Sequence, residues 1–216
     1  MKDDNKITQL MSRQAIRRLP HYLKYLKNLD TSSNDRISAS LMAADLQLYE
    51  GLVRKDLAAV SSVSGKPRVG FKIDDLISDI EHFLGYDMPN RAVLAGAGHL
   101  GKALLCYRGF ESYKLEIVAA FDVAEKLIGS EICGKEVFPI EKAGDLCPRL
   151  NVRIGIITAP AAVAQEVCDI LVDGGVLAVW NFAPVQLGVP RGILVQNENM
   201  AESLAILSNH LTEKRR

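Results

Sequence analysis

The amino-acid sequence predicts an α/β fold in two parts, a basic helical portion in front and a parallel, doubly wound sheet behind it, on three observations. Residues 1–72 hold 13 Lys and Arg against 7 Asp and Glu, a net charge of +6 that the rest of the chain balances with −6. Val93 to Leu105 reads VLAGAGHLGKALL, with Gly96, Gly98 and Gly101 at the spacing G-x-G-x-x-G. On both sides of that turn, short runs rich in Val, Ile and Ala alternate with segments of helical periodicity, as expected for strands buried on both faces.

The front elements follow in order. In AIRRLPHYLKYLKNL, residues Ile16, Leu19, Tyr22 or Leu23, Leu26 and Leu29 form one helical stripe, with Arg17, Arg18, Lys24 and Lys27 off it. Ser38 is placed to cap a short helix, ASLMAADL, with Leu41, Met42 and Leu46 as its apolar face. After a break at Gln47 to Glu50, GLVRKDLAAV sets Val53, Leu57 and Val60 on a core-facing stripe and projects Arg54 and Lys55 elsewhere. Two short helices joined by a tight turn, the second presenting cations, predict helix-turn-helix geometry. SSVSGKPRVGFKI is polar, contains glycine and ends in an extended run, so it predicts a wing carrying Lys66, Arg68 and Lys72. Asp74 is expected to cap a fourth helix with Leu76, Ile77, Ile80, Phe83 and Leu84 apolar, and GYDMPN then reads as a linker. The result is a winged-helix domain over residues 1–84. Its charge points to a polyanion, with a merely solvated face as the plainer alternative.

The glycine turn is legible because each glycine has a reason. The first makes the tight turn out of a strand, the second lets backbone approach a pyrophosphate, and the third lets a helix pack close to the sheet. Arg91 to Ala95 reads as the strand before the turn, and Leu100, Ala103, Leu104 and Tyr107 recur at helical spacing after it. EIVAAFD is the next strand, and it ends in Asp122, whose carboxylate would accept hydrogen bonds from ribose hydroxyls and repel a 2′-phosphate. NADH and NAD are therefore favoured over their phosphorylated forms, with Gly96, Gly98, His99, Leu100, Gly101 and Asp122 at the site.

KEVFPI, VRIGIITAP, GVLAVWNFAP and GILVQN supply four more strands, with a helix over residues 161–172. They complete a Rossmann domain over residues 85–198. Nucleotides lie across the carboxyl ends of such strands, which puts Thr158, Ala159, Pro160, Asn181, Phe182, Ala183 and Pro184 where nicotinamide contacts fall. A last helix over residues 199–216 carries Leu204, Leu207 and Leu211 at helical spacing with no element of its own domain obviously assigned to cover them, so a partner subunit is expected, with packing against the parent domain as the alternative.

Other function classes are disfavoured. No apolar run approaches a membrane span, and MKDDNKITQLMSRQ has no signal-peptide pattern, so a cytoplasmic protein without membrane partner is expected. Cys106, Cys133, Cys147 and Cys168 form no C-x-x-C pair and read as reduced, mostly buried thiols; no metal-ligand spacing occurs. A small NAD-dependent dehydrogenase would need a proton donor or acceptor at the hydride-transfer end. His99 sits in the phosphate turn instead, no Tyr-x-x-x-Lys pair occurs in the Rossmann half, and no catalytic residue is assigned. An enzyme, and a nucleotide-regulated interaction module without DNA binding, stay as the competing readings.

VRKDL from Val53, the wing ending RVGF, GAGHLGKALLCYRGF from Gly96, AAFD, and NFAPVQLGVPRGILVQN from Asn181 together resemble the Rex family of redox-sensing transcriptional repressors, over nearly the whole chain. The resemblance implies a homodimer with an exchanged C-terminal helix, bound to operator DNA and released by NADH. It implies the helix from Leu52 to Val60 in successive major grooves of an inverted repeat and the wing in the flanking minor groove. Arg54 and Lys55 are then candidates for base or phosphate contacts, Lys66 and Arg68 for the wing, and Arg18 for phosphate. In such repressors an arginine, an aspartate and a tyrosine make contacts that depend on state. Here Tyr107 matches the tyrosine, but the other positions hold Lys24 and Asn199, and the wing lacks the family's usual aromatic-glycine pairs.

Overall fold

The computed structural model describes residues 11–32, 34–62 and 70–214, apart from the Met200 side chain. The chain divides within the expected linker into two units, residues 1–88 and 89–216.

In the first unit, helix α1 (Arg13–Lys27) is capped by Ser12, whose hydroxyl accepts from the Ala15 N–H at 3.2 Å. Strand β1 (Arg36–Ile37) precedes helix α2 (Ala39–Asp45), and Ser38 caps α2 as expected. Helix α3 (Glu50–Val60) follows a turn in which Gln47 has φ 55°. Strand β2 (Phe71–Lys72) pairs antiparallel with β1 and leads into α4 (Ile73–Leu84). The glycine of RVGF is required by this pairing: Gly70 has φ +72°, and a Cβ there would lie 2.3 Å from the Ile37 carbonyl oxygen. Leu19, Tyr22, Leu26, Met42, Val53, Leu57, Leu76 and Ile80 form the buried core.

Two local expectations are corrected. Leu41 is half exposed, and the buried face of α2 is Ala39, Met42 and Ala43, because the small side chains let the helix lie closer to its neighbours. Asp74 lies in the first turn of α4 while Lys72 holds the cap position, so the aspartate favours the positive end of the helix rather than capping it.

The second unit is a seven-stranded sheet in the order β5-β6-β4-β3-β7-β8-β9. Its strands are β3 (Asn90–Ala95), β4 (Leu115–Asp122), β5 (Glu131–Ile132), β6 (Lys135–Pro139), β7 (Ile154–Ile157), β8 (Ala178–Asn181) and β9 (Leu194–Asn197). All pairs are parallel except β5 with β6. The parallel strands thus run 3-2-1-4-5-6, the doubly wound order with its switch point between β3 and β7. Helix α5 (His99–Leu105) follows β3, α6 (Ala143–Arg149) precedes β7, α7 (Ala164–Asp173) follows it, and α8 (Met200–Glu213) closes the described chain.

Alternation along β3 shows both faces covered. Val93 and Ala95 pack with Cys147, Cys168 and Leu171, while Ala92 and Leu94 pack with Ala97 and Leu105. On α8 the apolar Leu204, Ile206, Leu207 and Leu211 are all exposed. Among the described residues no helix is long and apolar enough to cross a membrane.

The cysteine expectation is half corrected. Cys147 and Cys168 are buried and free, and burial pushes the Cys147 thiol up to about 11. Cys106 and Cys133 are exposed and joined in a disulfide. They are 27 residues apart in sequence, and the pairing of β4 with β6 carries the β5–β6 hairpin back to the end of α5, a proximity that spacing alone does not encode.

Candidate nucleotide site and nucleic-acid interface

The turn after β3 has three glycines with three different surroundings. Gly96 has φ +101°, and a Cβ on it would lie 2.8 Å from the Ala159 nitrogen. A Cβ on Gly101 would lie 2.1 Å from the Gly96 carbonyl oxygen and 3.0 Å from Leu94 Cδ2. A Cβ on Gly98 would meet nothing within 4 Å. Two glycines are therefore demanded by the protein's own packing. The third is not, and it stands in extended backbone just before α5, with the exposed His99 and Leu100 opening that helix.

Hydrogen bonds fix the turn from two strand ends. The Gly96 N–H donates to Phe121 O at 2.8 Å, and Thr158 at the end of β7 donates its N–H to Ala95 O and its hydroxyl to Gly96 O at 2.6 Å. Asp122, at the end of β4, accepts from the Ala97 N–H at 2.7 Å and from the Ala124 N–H at 2.8 Å. Each carboxylate oxygen has capacity for a further donor. Thr158, Ala159 and Asp122 thus converge on the glycine turn, with the exposed Pro160 following.

The loop after β8 is held by Asn181. Its amide nitrogen donates to Ala183 O, Val185 O and Asn197 Oδ1, and its oxygen accepts from the Ala183 N–H at 3.0 Å. Asn181 is fully buried and committed to the loop, so it shapes the positions of Phe182, Ala183 and Pro184. Tyr107 is exposed, with its ring edge-on to Phe110 at 4.9 Å. Asn199 caps α8, accepting from the Ala201 N–H and donating to Glu202.

In the first unit, the cations of VRKDL point outward: Arg54 and Lys55 are exposed, and Arg54 pairs with Glu50 one turn earlier. Asp56 between them and the core is only 3% exposed. The Arg18 guanidinium grips it through Nε at 2.8 Å and Nη2 at 3.0 Å, and the Tyr22 hydroxyl donates to it at 2.9 Å. Burial, and then Asp56, push the Tyr22 phenol up to about 12. This network ties α3 to α1, and the sequence reading assigns no role to Asp56, which directly follows Arg54 and Lys55. The signal was its position three residues after Val53, on the buried side of the helix. Lys24 is exposed on α1. Lys66 and Arg68 lie outside the described residues.

The geometry agrees with comparisons to known proteins. Residues 11–58 match the family model "Putative DNA-binding protein N-terminus", and residues 87–185 match the "CoA binding domain" model. The redox-sensing transcriptional repressor Rex of Bacteroides thetaiotaomicron is 38% identical, over 98% of this chain and 97% of that protein. That of Clostridium kluyveri is also 38% identical, over 92% of this chain and 94% of that one. Among solved structures, RSP in complex with beta-NAD+ and operator DNA superposes with a TM-score of 0.89 at 32% identity, covering 95% of this chain and 94% of that one. RSP in complex with beta-NADH gives 0.83 at 31% identity, covering 95% and 96%.

Proposed function

The chain belongs to the Rex family of redox-sensing transcriptional repressors, and from that membership we propose that it is a homodimeric repressor that holds an inverted-repeat operator and lets it go when NADH binds. The observation that carries this reading is the open space at Gly98. A glycine that its own fold does not require, set between two that it does, is kept for the close approach of a ligand. Asp122, anchored beside it with acceptor capacity to spare, suits a ribose diol.

Gly96, Gly98, His99, Leu100 and Gly101 would hold the pyrophosphate, Asp122 the adenosine ribose, and Thr158, Ala159, Pro160 and Phe182 to Pro184 the nicotinamide end. Asn181 serves by fixing the last of these. The nucleotide supplies a redox-dependent charge on the nicotinamide ring, and the residues bind and orient it without turning it over. His99 opens α5 at the phosphate turn, and no other group of this site is a proton donor suited to carbonyl chemistry.

Arg54 and Lys55 present cations from α3 to the major groove, and Lys66 and Arg68 extend the contact through the wing. Asp56 takes two of the five guanidinium N–H groups of Arg18, and we assign the remainder to phosphate. The exposed leucines of α8 are covered by a second subunit. Lys24, Tyr107 and Asn199 set the balance between the two states, and the protein works in the cytoplasm, where DNA and the nucleotide pool meet.

Selection of bound fragments from a random DNA pool, repeated with NADH and with NAD, tests the proposal. Enrichment of an inverted repeat that disappears with NADH is the expected result. Failure to enrich any sequence, or a repeat retained equally with both nucleotides, contradicts it.

A further inference from the structure

The four cysteines divide sharply. Cys147 and Cys168 are buried, and the thiol that burial pushes upward is a poor nucleophile. Cys106 and Cys133 are both exposed, bonded, and 5.3 Å apart at Cα. They border an open cavity of about 770 Å³ that is also lined by Tyr107, Arg108, Lys114 and Lys135. The Lys135 ammonium donates to the Cys133 carbonyl at 2.9 Å, so a cation stands beside the residue that reduction would convert to a thiolate. Neither sulfur belongs to a hydrophobic core, and the buried faces of the sheet close without them.

The bond's place in the chain gives it leverage. Cys106 ends the two-turn helix α5, whose first residue follows Gly98. Cys133 is the first residue of the hairpin turn, with φ 49° followed by Gly134 at 78°, the tight two-residue reversal between β5 and β6. The loop that the disulfide closes contains all of β4 and Asp122. Cleaving it frees the far end of the helix that starts at the phosphate turn and releases a covalent restraint on the strand that ends in the ribose carboxylate.

We propose that Cys106 and Cys133 form a reversible thiol–disulfide site, open to small thiols, that gives this chain a second redox input tightening or loosening its nucleotide site. This rests on the repressor reading in one respect, since a DNA-binding protein works where thiols keep exposed disulfides in exchange. In reduction, a small-molecule thiolate attacks one sulfur, forms a mixed disulfide and expels the other cysteine as thiolate. A second small-molecule thiolate then attacks the small-molecule sulfur of the mixed disulfide and expels the remaining cysteine as thiolate, so that the protein gains two electrons and, on protonation, two protons, and the reductant leaves as its own disulfide. Oxidised glutathione or another low-molecular-weight disulfide runs the exchange backwards.

The test uses the whole protein in its oxidised form and after treatment with dithiothreitol. Alkylation followed by peptide mass mapping counts the thiols, and amide hydrogen exchange reads residues 99–122. Two thiols, at Cys106 and Cys133, are expected to become reactive in the folded protein under millimolar dithiothreitol and to be lost again with oxidised glutathione. Exchange in α5 and β4 is expected to rise with reduction, NADH affinity to fall at least ~3-fold, and Cys133→Ser to behave like the reduced protein under both conditions. A bond that does not form in air, one that resists dithiothreitol until the protein is unfolded, or equal exchange in both states overturns the proposal. Absence of NADH binding in both states would instead count against the nucleotide reading, while thiol count and exchange would still judge this one without any mutation.

Discussion

The sheet unit offers a ligand mostly backbone, and the helical unit offers side chains. Around Gly96 to Gly101 the proposed recognition surface is peptide groups held by Thr158 and Asp122, and the position assigned to close approach has no side chain at all. On α3 the proposed surface is Arg54 and Lys55, and what the fold supplies is a firm seat for the helix through Asp56, Arg18 and Tyr22. A backbone site fails when atoms are added to it. A side-chain site fails when its support is removed.

The largest effect is expected where support is buried. Removing one partner of a buried ion pair costs about 3–5 kcal/mol. The Arg18 side chain is 22% exposed, so water recovers part of this, and Asp56→Ala is expected to destabilise the helical unit by about 2–3 kcal/mol. Trp180, the chain's one tryptophan, lies in β8 and reports the sheet unit separately. Helical circular dichroism should melt earlier while Trp180 fluorescence keeps its midpoint. Equal shifts in both signals would break the comparison. The same network has a pH signature. Tyr22 is raised from its ordinary value of 10 to about 12, so its contribution is complete below pH 10 and is lost as pH rises through 12, a window that Asp56→Ala should narrow.

Adding a methyl group sharpens the contrast from the other side. Gly101→Ala overpacks the helix against the turn and is expected to cost about 1–3 kcal/mol of sheet-unit stability. Gly98→Ala meets open space, so its melting should match wild type while NADH affinity falls at least ~10-fold, equivalent to ~1.4 kcal/mol. Calorimetry and thermal melts of the two variants separate these outcomes, and similar behaviour of both would undo the assignment of distinct roles.

Much of this was legible because glycine leaves a trace that charge does not. G-x-G-x-x-G followed by Asp122 located the turn, the strand before it and the carboxylate at the end of the next strand, since a left-handed φ and a close approach restrict the residue type. Asp56 left no such trace: an aspartate directly after two cations reads as solvated until the fold shows which way it faces. Asn181 was legible as part of the loop but not in its role, because an amide that reaches a ligand and one that staples a loop look the same in sequence. The disulfide was missed because its two halves meet only through strand pairing.

Asp122→Ala removes the ribose acceptor and also leaves the Ala97 and Ala124 N–H groups without their acceptor. Loss of a charged acceptor is worth ~1.5–3 kcal/mol, so NADH affinity should fall roughly tenfold or more, with a measurable drop in melting temperature that Gly98→Ala does not share. Unchanged calorimetric affinity would remove Asp122 from the site.

The smallest effect concerns the balance of states. A lysine and a neutral amide offer a weaker contact than a bidentate arginine and aspartate. Asn199 caps α8, and aspartate caps a helix equally well, so Asn199→Asp leaves the helix intact. Combined with Lys24→Arg, it is expected to enlarge the NADH response beyond the sum of the single changes. Additive effects in operator titrations would count against Lys24 and Asn199 as partners in the switch.

The most direct measurement is a titration of the complex with its selected operator by each nucleotide in turn, followed by fluorescence anisotropy of labelled DNA. The account predicts that NADH releases the DNA from the wild-type protein at concentrations where NAD leaves it bound, and that Gly98→Ala, although folded, holds on through the same NADH titration. Release of wild type by both nucleotides alike, or by neither, would contradict it.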